Sequence, residues 1–124
     1  MSALEQRQAA IMVATKRREA AAAFKRRLRR MSPWEAARAL AVELERGMPD
    51  SPGAPIGPLL LAIPLLGDVK AKKLLRTFRL VGGRTVGSLT ERRRLELALA
   101  LRSRAREWQA YEPRHRQSER KAAA

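Results

Sequence analysis

Residues 3 to 30 contain neither glycine nor proline and consist mostly of Ala, Arg, Lys, Glu and Gln. Because these residues are good helix formers, the stretch predicts one long α-helix. Its apolar side chains are sparse, but Phe24 and Leu28 are four residues apart and therefore share a face. We expect the second half of this helix to dock on a core, whereas the first half has little to bury without a partner.

A second helix is predicted from Ser32 to about Arg46. Ser32 suits the N-cap, Pro33 suits the first helical position, and Glu35 completes a capping box. Gly47 is expected to end the helix. The side chains predicted to be buried on it are Ala37, Leu40, Ala41 and Leu44.

The composition divides the chain into four parts. Residues 1–46 form the two helices just described, and residues 47–55 are rich in Pro and Gly, which predicts a linker. A helical body is expected over 56–110. The basic segment 111–124 is predicted to be a disordered tail. The predicted fold class is all-α.

Within the body, the apolar segment from Ile56 to Ile63 predicts one or two buried helical turns. A helix over 68–80 follows, and Gly82 and Gly83 end it. Its pattern separates an apolar face from a basic face. The inner face is predicted to be Ala71, Leu74, Leu75 and Phe78, and the outer face Lys72, Lys73, Arg76 and Arg79.

The last helix is predicted to begin at a second capping box, Ser88-Leu89-Thr90-Glu91. Its leucines at 95, 97, 99 and 101 alternate as in a strand, but Leu, Glu, Ala and Arg are strong helix formers and no partner strand is evident. We therefore predict a central helix, with residues 95, 98, 99 and 101 on its apolar face.

The charge of the chain is strongly positive. Lys and Arg number 27 against 12 Asp and Glu, which gives a net charge of +15 on 124 residues. The excess is spread evenly over residues 1–50, 51–90 and 91–124, so no single tail accounts for it. Self-repulsion of this size opposes a compact state, and a bound polyanion relieves it.

The segment from Ala62 to Leu75 suits a phosphate. A short apolar helix meets a Pro/Gly turn, and the next helix opens with lysines in its first turns. Free N–H groups and the macrodipole at a helix N-terminus attract anions, and a Gly allows close approach of the backbone. The alternative is an ordinary turn between helices whose lysines are merely solvated.

Residues 55 to 101 resemble the helix–two-turn–helix body of the actinobacterial integration host factors. The resemblance rests on Leu59-Leu60-Leu61-Ala62-Ile63-Pro64-x-x-Gly67-x-Val69-Lys70-Ala71, on Arg84, and on a Gly/Ser-Leu step into a final helix. Upstream, Glu5 to Ala10 and Lys16-Arg17-Arg18 are similar to the long N-terminal helix of that family. Ribosomal protein S13 and the formamidopyrimidine-type DNA glycosylases carry related elements.

The resemblance implies a nucleoid-associated protein that binds duplex DNA with little sequence preference, bends or compacts it, and assists site-specific recombination. It places Gly67, Val69 and Lys70 on a phosphate-binding turn, and Arg84 on an arginine-rich loop. The chain departs from the family pattern at Asp68, where a lysine is usual, and keeps only one loop arginine. Asp68 is expected to cap the following helix. The residues predicted to contact DNA are Pro64, Gly67, Val69, Lys70, Lys72, Lys73, Arg76, Arg84, Arg92, Arg93, Arg17 and Arg18.

Other chemistry is disfavoured. The chain has no cysteine and one histidine, His115, so neither a zinc site nor any other metal site or cofactor is expected. No Ser/His/Asp grouping occurs, and we predict that the protein is not an enzyme. No run approaches the roughly 18 apolar residues of a membrane span, and no secretory signal is present. A cytoplasmic, nucleoid-bound monomer with no membrane partner and no small-molecule substrate is the expectation.

Two alternatives remain at the level of sequence. One is an RNA-binding protein similar to ribosomal protein S13. The other is a helical adaptor that docks on a protein, for which Trp34 and Leu40 supply apolar side chains. Large apolar residues are usually buried, so a core position for Trp34 is the stronger interpretation. Recombinase or integrase complexes are further partners that the family resemblance implies.

Overall fold

The computed structural model describes residues 2 to 123, with side chains described as far as Tyr111. Over this range the chain forms five α-helices and one 3₁₀ turn. The β-type pairing described there is limited to one isolated antiparallel bridge between Pro55 and Thr85. The helices are α1 (Ala3–Arg30), α2 (Pro33–Arg46), α3 (Ile56–Leu61), α4 (Gly67–Thr77) and α5 (Glu91–Ala123); the 3₁₀ turn is Val86–Ser88. The predicted all-α class is confirmed.

Helix α1 has the predicted bounds and the predicted division into two halves. Phe24 and Leu28 are buried in the core, whereas every residue from 3 to 19 is exposed. At 1.5 Å per residue this exposed part extends for about 25 Å. The Ser2 side chain caps the helix by accepting a hydrogen bond from the Glu5 amide at 3.1 Å. The chain therefore has an exposed N-terminal arm, residues 3–19.

Helix α2 packs chiefly on α5. Its predicted caps are confirmed, since the Ser32 hydroxyl accepts from the Glu35 amide at 3.3 Å and Gly47 is left-handed at φ +82°. The buried residues of the pair are Ala36, Ala37, Leu40, Ala41 and Leu44 on α2, and Leu97, Ala98, Leu101 and Ala105 on α5. The interface between these two helices is thus the centre of the core.

Two arginines of α5 reach across this interface. Arg94 donates to the Leu44 carbonyl at 2.8 Å, which also accepts from the Gly47 amide at 3.1 Å, so the guanidinium is a second donor to this carbonyl at the C-terminus of α2. Arg102 donates to both carboxylate oxygens of Glu45. These hydrogen bonds lower the pKa of Glu45 below its ordinary value. Both side chains are more than a third exposed, so this pair fixes geometry more than it adds stability.

The prediction that residues 47–55 form a linker is wrong. Met48, Ser51 and Ala54 are buried. Backbone hydrogen bonds also join the segment to residues 84–87. The Gly87 amide donates to the Pro52 carbonyl at 2.8 Å, and the Val86 amide donates to the Ala54 carbonyl at 2.9 Å. Pro and Gly are typical of tight turns as well as of linkers. The sequence does not reveal hydrogen bonds between residues that are distant along the chain. Residues 1–46 and the predicted body therefore share one core.

Helix α4 begins at Gly67, one residue before the predicted 68–80 helix, and ends at Thr77, three residues before its predicted end. Arg79 is left-handed at φ +54°, and the Leu80 amide folds back to the Leu75 carbonyl at 2.8 Å. Such a left-handed residue is a common way to end a helix. The predicted faces are confirmed, because Ala71 and Leu74 are buried while the four cations of the outer face are exposed.

Helix α5 begins at Glu91, two residues later than a cap at Ser88 implies, and the strand-like leucine alternation is helical. Thr90, rather than Ser88, is the cap, since its hydroxyl accepts from the Arg93 amide at 3.2 Å. Leu95 and Leu99 were predicted to be buried but are exposed. The buried stripe instead follows Leu97, Leu101 and Ala105 at four-residue spacing, which is the face that meets α2.

Residues 111–124 were predicted to be a disordered tail, but the backbone of α5 continues through Ala123. Apart from Pro113, this segment is rich in Arg, Gln, Glu, Lys and Ala, which favour a helix. Met1, Ala124 and the side chains after Tyr111, including that of His115, lie outside the described part of the protein.

Gly57 holds α3 against the loop that follows α4. Its amide donates to the Gly82 carbonyl at 2.8 Å, and a Cβ at residue 57 would lie 2.9 Å from that oxygen. Because the obstacle is backbone, we expect Gly57→Ala to lower the free energy of unfolding by about 1–3 kcal/mol in chemical denaturation. Gly53→Ala is the matched control, since no atom lies within 4 Å of its Cβ position. Equal stability of the two variants would contradict this expectation.

Candidate nucleic-acid interface

The turn between α3 and α4 is anchored on both sides by buried residues. Ile63 and Leu66 are almost wholly buried, and the Leu66 amide donates to the Ile63 carbonyl at 3.3 Å. Leu65, which lies between these two residues, has a left-handed backbone with a φ of +63°. Gly67, which follows Leu66, is also left-handed, with a φ of +77°. No atom lies within 4 Å of the Cβ position of Gly67, so the space above this glycine is open. Pro64 is half-buried and supports the same turn.

The N-terminus of α4 faces this open space. In the described part of the chain, no side chain caps α4, so the amide groups of its first turn have no side-chain acceptor. The predicted capping role of Asp68 is wrong. Its carboxylate instead lies 3.0 Å from the Lys72 ammonium, one turn along the helix. Both side chains are about two-thirds exposed, so the pair is weak and the helix end remains accessible.

Exposed cations extend from this turn along the outer face of α4. Lys70, Lys73 and Arg76 are exposed, and none of them forms an ion pair with the acids whose side chains are described. Val69 lies among them and is 77% exposed. The predicted residues of the α3–α4 turn and of α4 form the area that we call the turn surface: Pro64, Gly67, Val69, Lys70, Lys72, Lys73 and Arg76.

Arg84 lies at the opposite end of α3 from the turn. Its carbonyl accepts a hydrogen bond from the Ile56 amide at 2.9 Å, which places the arginine beside the first residue of α3. Its guanidinium donates to the Ser88 hydroxyl at 3.3 Å and to the Ser88 carbonyl at 3.4 Å. Since α3 has six residues, it is about 9 Å long and separates Arg84 from the turn by a short distance.

Arg92 and Arg93 have intramolecular partners. The Arg93 guanidinium donates to the carbonyls of Phe78 and Arg79, and so closes the C-terminus of α4. Arg92 lies 3.1 Å from Glu96 but is exposed. The sequence predicted both as DNA contacts. The contacts of Arg93 are those of a structural residue, because helix-end carbonyls need donors.

Arg17 and Arg18 lie on a different surface from the turn. They line a groove of about 510 Å³ between α1 and the 51–55 segment, together with Lys25 and Pro55. The other side of that segment is bonded to the loop that carries Arg84. We call this second cationic area the groove surface. Lys25 belongs to the same surface, eight residues after Arg17 on one helix.

In comparisons with known proteins, no family model, no curated protein and no solved structure gives a significant match to this chain. Among the described residues, no group of three His, Cys, Asp or Glu side chains is arranged to hold a metal ion. Over the same residues, none of the helices combines the length and apolar character needed to cross a bilayer.

Proposed function

We propose that this chain is a double-stranded DNA-binding architectural protein, which contacts phosphates through the turn surface and the groove surface. The observation that carries the proposal is the α3–α4 turn: an uncapped helix N-terminus, open space above Gly67, and exposed Lys70 and Lys73 beside it. Amide groups, helix dipole and ammonium groups all favour a phosphate at one place. Binding of this kind needs no base contacts and is tolerant of sequence.

The same proposal includes the DNA bending, compaction and assistance to recombination that the family resemblance implies. With cations on two surfaces, one duplex that follows both is bent, and two duplexes are bridged. Compaction of DNA, assistance to site-specific recombination and a place in the nucleoid follow from such binding. The proposed role is binding without catalysis.

The salt dependence of binding tests this proposal. If roughly five phosphates are neutralised, the logarithm of the association constant should fall against the logarithm of salt concentration with a slope of about −4 to −5. Fluorescence anisotropy on one labelled duplex, repeated at several salt concentrations, measures this slope. An affinity for duplex DNA that does not change with salt would contradict the proposal.

Competition between polyanions separates this proposal from the RNA-binding alternative. Duplex DNA is expected to displace the labelled duplex better than a structured RNA or heparin at equal phosphate concentration. A clear preference for the structured RNA would favour a protein similar to ribosomal protein S13 instead. The groove surface and turn surface would then be phosphate contacts to an RNA backbone.

A protein-binding adaptor is favoured by one feature only. On the arm, Ile11, Met12 and Val13 are about half exposed or more. Trp34 and Leu40 are the residues that the sequence suggested for that role: Trp34 packs against the core and lies under the Arg38 guanidinium, and Leu40 is buried. The arm is therefore the part of the chain where an adaptor function would reside.

A further inference from the structure

Leu65 has a backbone conformation that its own side chain disfavours. Its φ is +63°, in the left-handed region that glycine and asparagine tolerate and that leucine rarely adopts. Its side chain is 85% exposed, so it buries almost nothing in return. The buried neighbours Ile63 and Leu66 fix the turn and hold the residue in this conformation. Strain that the surrounding structure imposes, without a packing gain, is characteristic of functional sites.

The other left-handed non-glycine residues have local explanations. Met48, at φ +49°, is buried in the core, so packing stabilises it. Arg79, at φ +54°, ends α4, where the Leu80 amide bonds back to Leu75 and Arg93 contacts the terminal carbonyls. Neither explanation applies to Leu65, which has no burial and does not end a helix.

The surroundings of Leu65 indicate the chemistry of a partner. Leu61 and Val69, four residues before and after it, are 52% and 77% exposed, so the turn presents an apolar tip. Lys70 and Lys73 lie directly beyond it on α4 and are exposed. A partner that satisfies both features has an anionic exterior and an apolar interior within a few ångströms. The backbone and the stacked bases of a DNA duplex have this arrangement.

We propose that Leu65 is an apolar wedge that enters the minor groove and partly unstacks a base step, while Lys70 and Lys73 hold the adjacent phosphates. This inference rests on the proposed DNA binding and adds the mechanism by which the duplex is kinked. Apolar side chains inserted in this way kink DNA toward the major groove, and the bent duplex then contacts more protein surface. Here the bend brings flanking DNA toward the groove surface.

Substitutions at Leu65 separate the wedge from the fold. Leu65→Gly and Leu65→Asn relieve the backbone strain, so the midpoint of thermal unfolding should not fall. Both should lower the affinity for a duplex by roughly three- to tenfold and return its end-to-end distance, measured by fluorescence transfer, toward that of straight DNA. Leu65→Met keeps an apolar side chain and should retain the kink. Val81→Asn is the control, because Val81 is 73% exposed but lies beyond the C-terminus of α4.

A 2-aminopurine base in the duplex reports unstacking directly. The full-length protein should increase its fluorescence, and the Gly and Asn variants should not. If these variants bend and unstack DNA as well as the original chain does, the proposal that Leu65 is a wedge is overturned, whereas the proposal of salt-dependent DNA binding is unaffected. If the original chain shows no salt-dependent DNA binding at all, the proposed function fails instead. Loss of thermal stability in both variants would assign Leu65 to the fold and likewise overturn the wedge.

Discussion

Replacing Lys70 and Lys73 together by glutamate is expected to weaken binding to duplex DNA by roughly 100-fold, since each reversal removes an attraction and adds a repulsion. The slope of the salt dependence should also become shallower by about two units. Both side chains are exposed and neither forms an ion pair with an acid whose side chain is described. The free energy of unfolding should therefore change by no more than about 0.5 kcal/mol. Anisotropy titrations and chemical denaturation measure the two effects.

Two comparisons make this experiment specific. Arg106→Glu alters an exposed position on α5 and changes the net charge as much as either single lysine reversal. It should lower affinity by less than about threefold, through the general field alone. Lys72→Gln should weaken binding less than a single lysine-to-glutamate reversal, because it removes one positive charge without adding a negative one. If Arg106→Glu weakens binding as much as Lys70→Glu, the turn surface is not the phosphate site.

Reversing Arg17 and Arg18 to glutamate is expected to lower affinity by roughly tenfold and to reduce the bend of the bound duplex. These arginines line the groove beside Pro55, on the segment that also bonds to the Arg84 loop. The turn surface remains intact in this variant, so binding itself should persist. Fluorescence transfer across a doubly labelled duplex measures the bend, and anisotropy measures the affinity.

The control for the groove surface is a deletion of residues 2–15. This segment carries one acid, Glu5, and one base, Arg7, so its removal leaves the net charge unchanged. It removes no core side chain, because the buried residues of α1 are Phe24 and Leu28. Affinity and bending should be nearly preserved. If the deletion weakens DNA binding and the arginine reversals do not, the groove surface is not a DNA contact and residues 2–15 carry the interaction.

The local parts of the fold were predictable from the sequence because their causes are local. A stretch without Gly or Pro predicted α1 with its bounds, and Ser32, Pro33 and Gly47 predicted both ends of α2. The basic outer face of α4 followed from its periodicity. In each case the deciding interactions join residues no more than four positions apart.

The failures concern interactions between distant residues. The backbone hydrogen bonds from Gly87 to Pro52 and from Val86 to Ala54 join residues more than thirty positions apart, so composition alone suggested a linker. Periodicity could not choose between two possible apolar faces of α5, because leucines occupy both; the contact with α2 decided for Leu97 over Leu95. Lys72 as the partner of Asp68 was within reach of sequence reasoning, since the two residues are four positions apart.

The candidate site was only partly predictable for the same reason. The turn residues lie within one short segment and were identified together. Arg93 was assigned to DNA because nothing in its local sequence reveals the two carbonyls that it contacts fifteen and fourteen positions away. Leu65 was missed altogether, since no pattern predicts a left-handed leucine; only the buried neighbours on both sides impose it.

The continuity of α1 makes it a rigid lever. No Gly or Pro interrupts it between the buried Phe24 and the far end at Ala3, so the direction of the free end is set by the seating of Phe24 and Leu28 in the core. Over the exposed length, a tilt of 10° at the base displaces the tip by about 4 Å, which is close to the rise of one base pair. A small change of core packing at Phe24 therefore moves the free end of α1 by about the length of one base pair along a bound duplex.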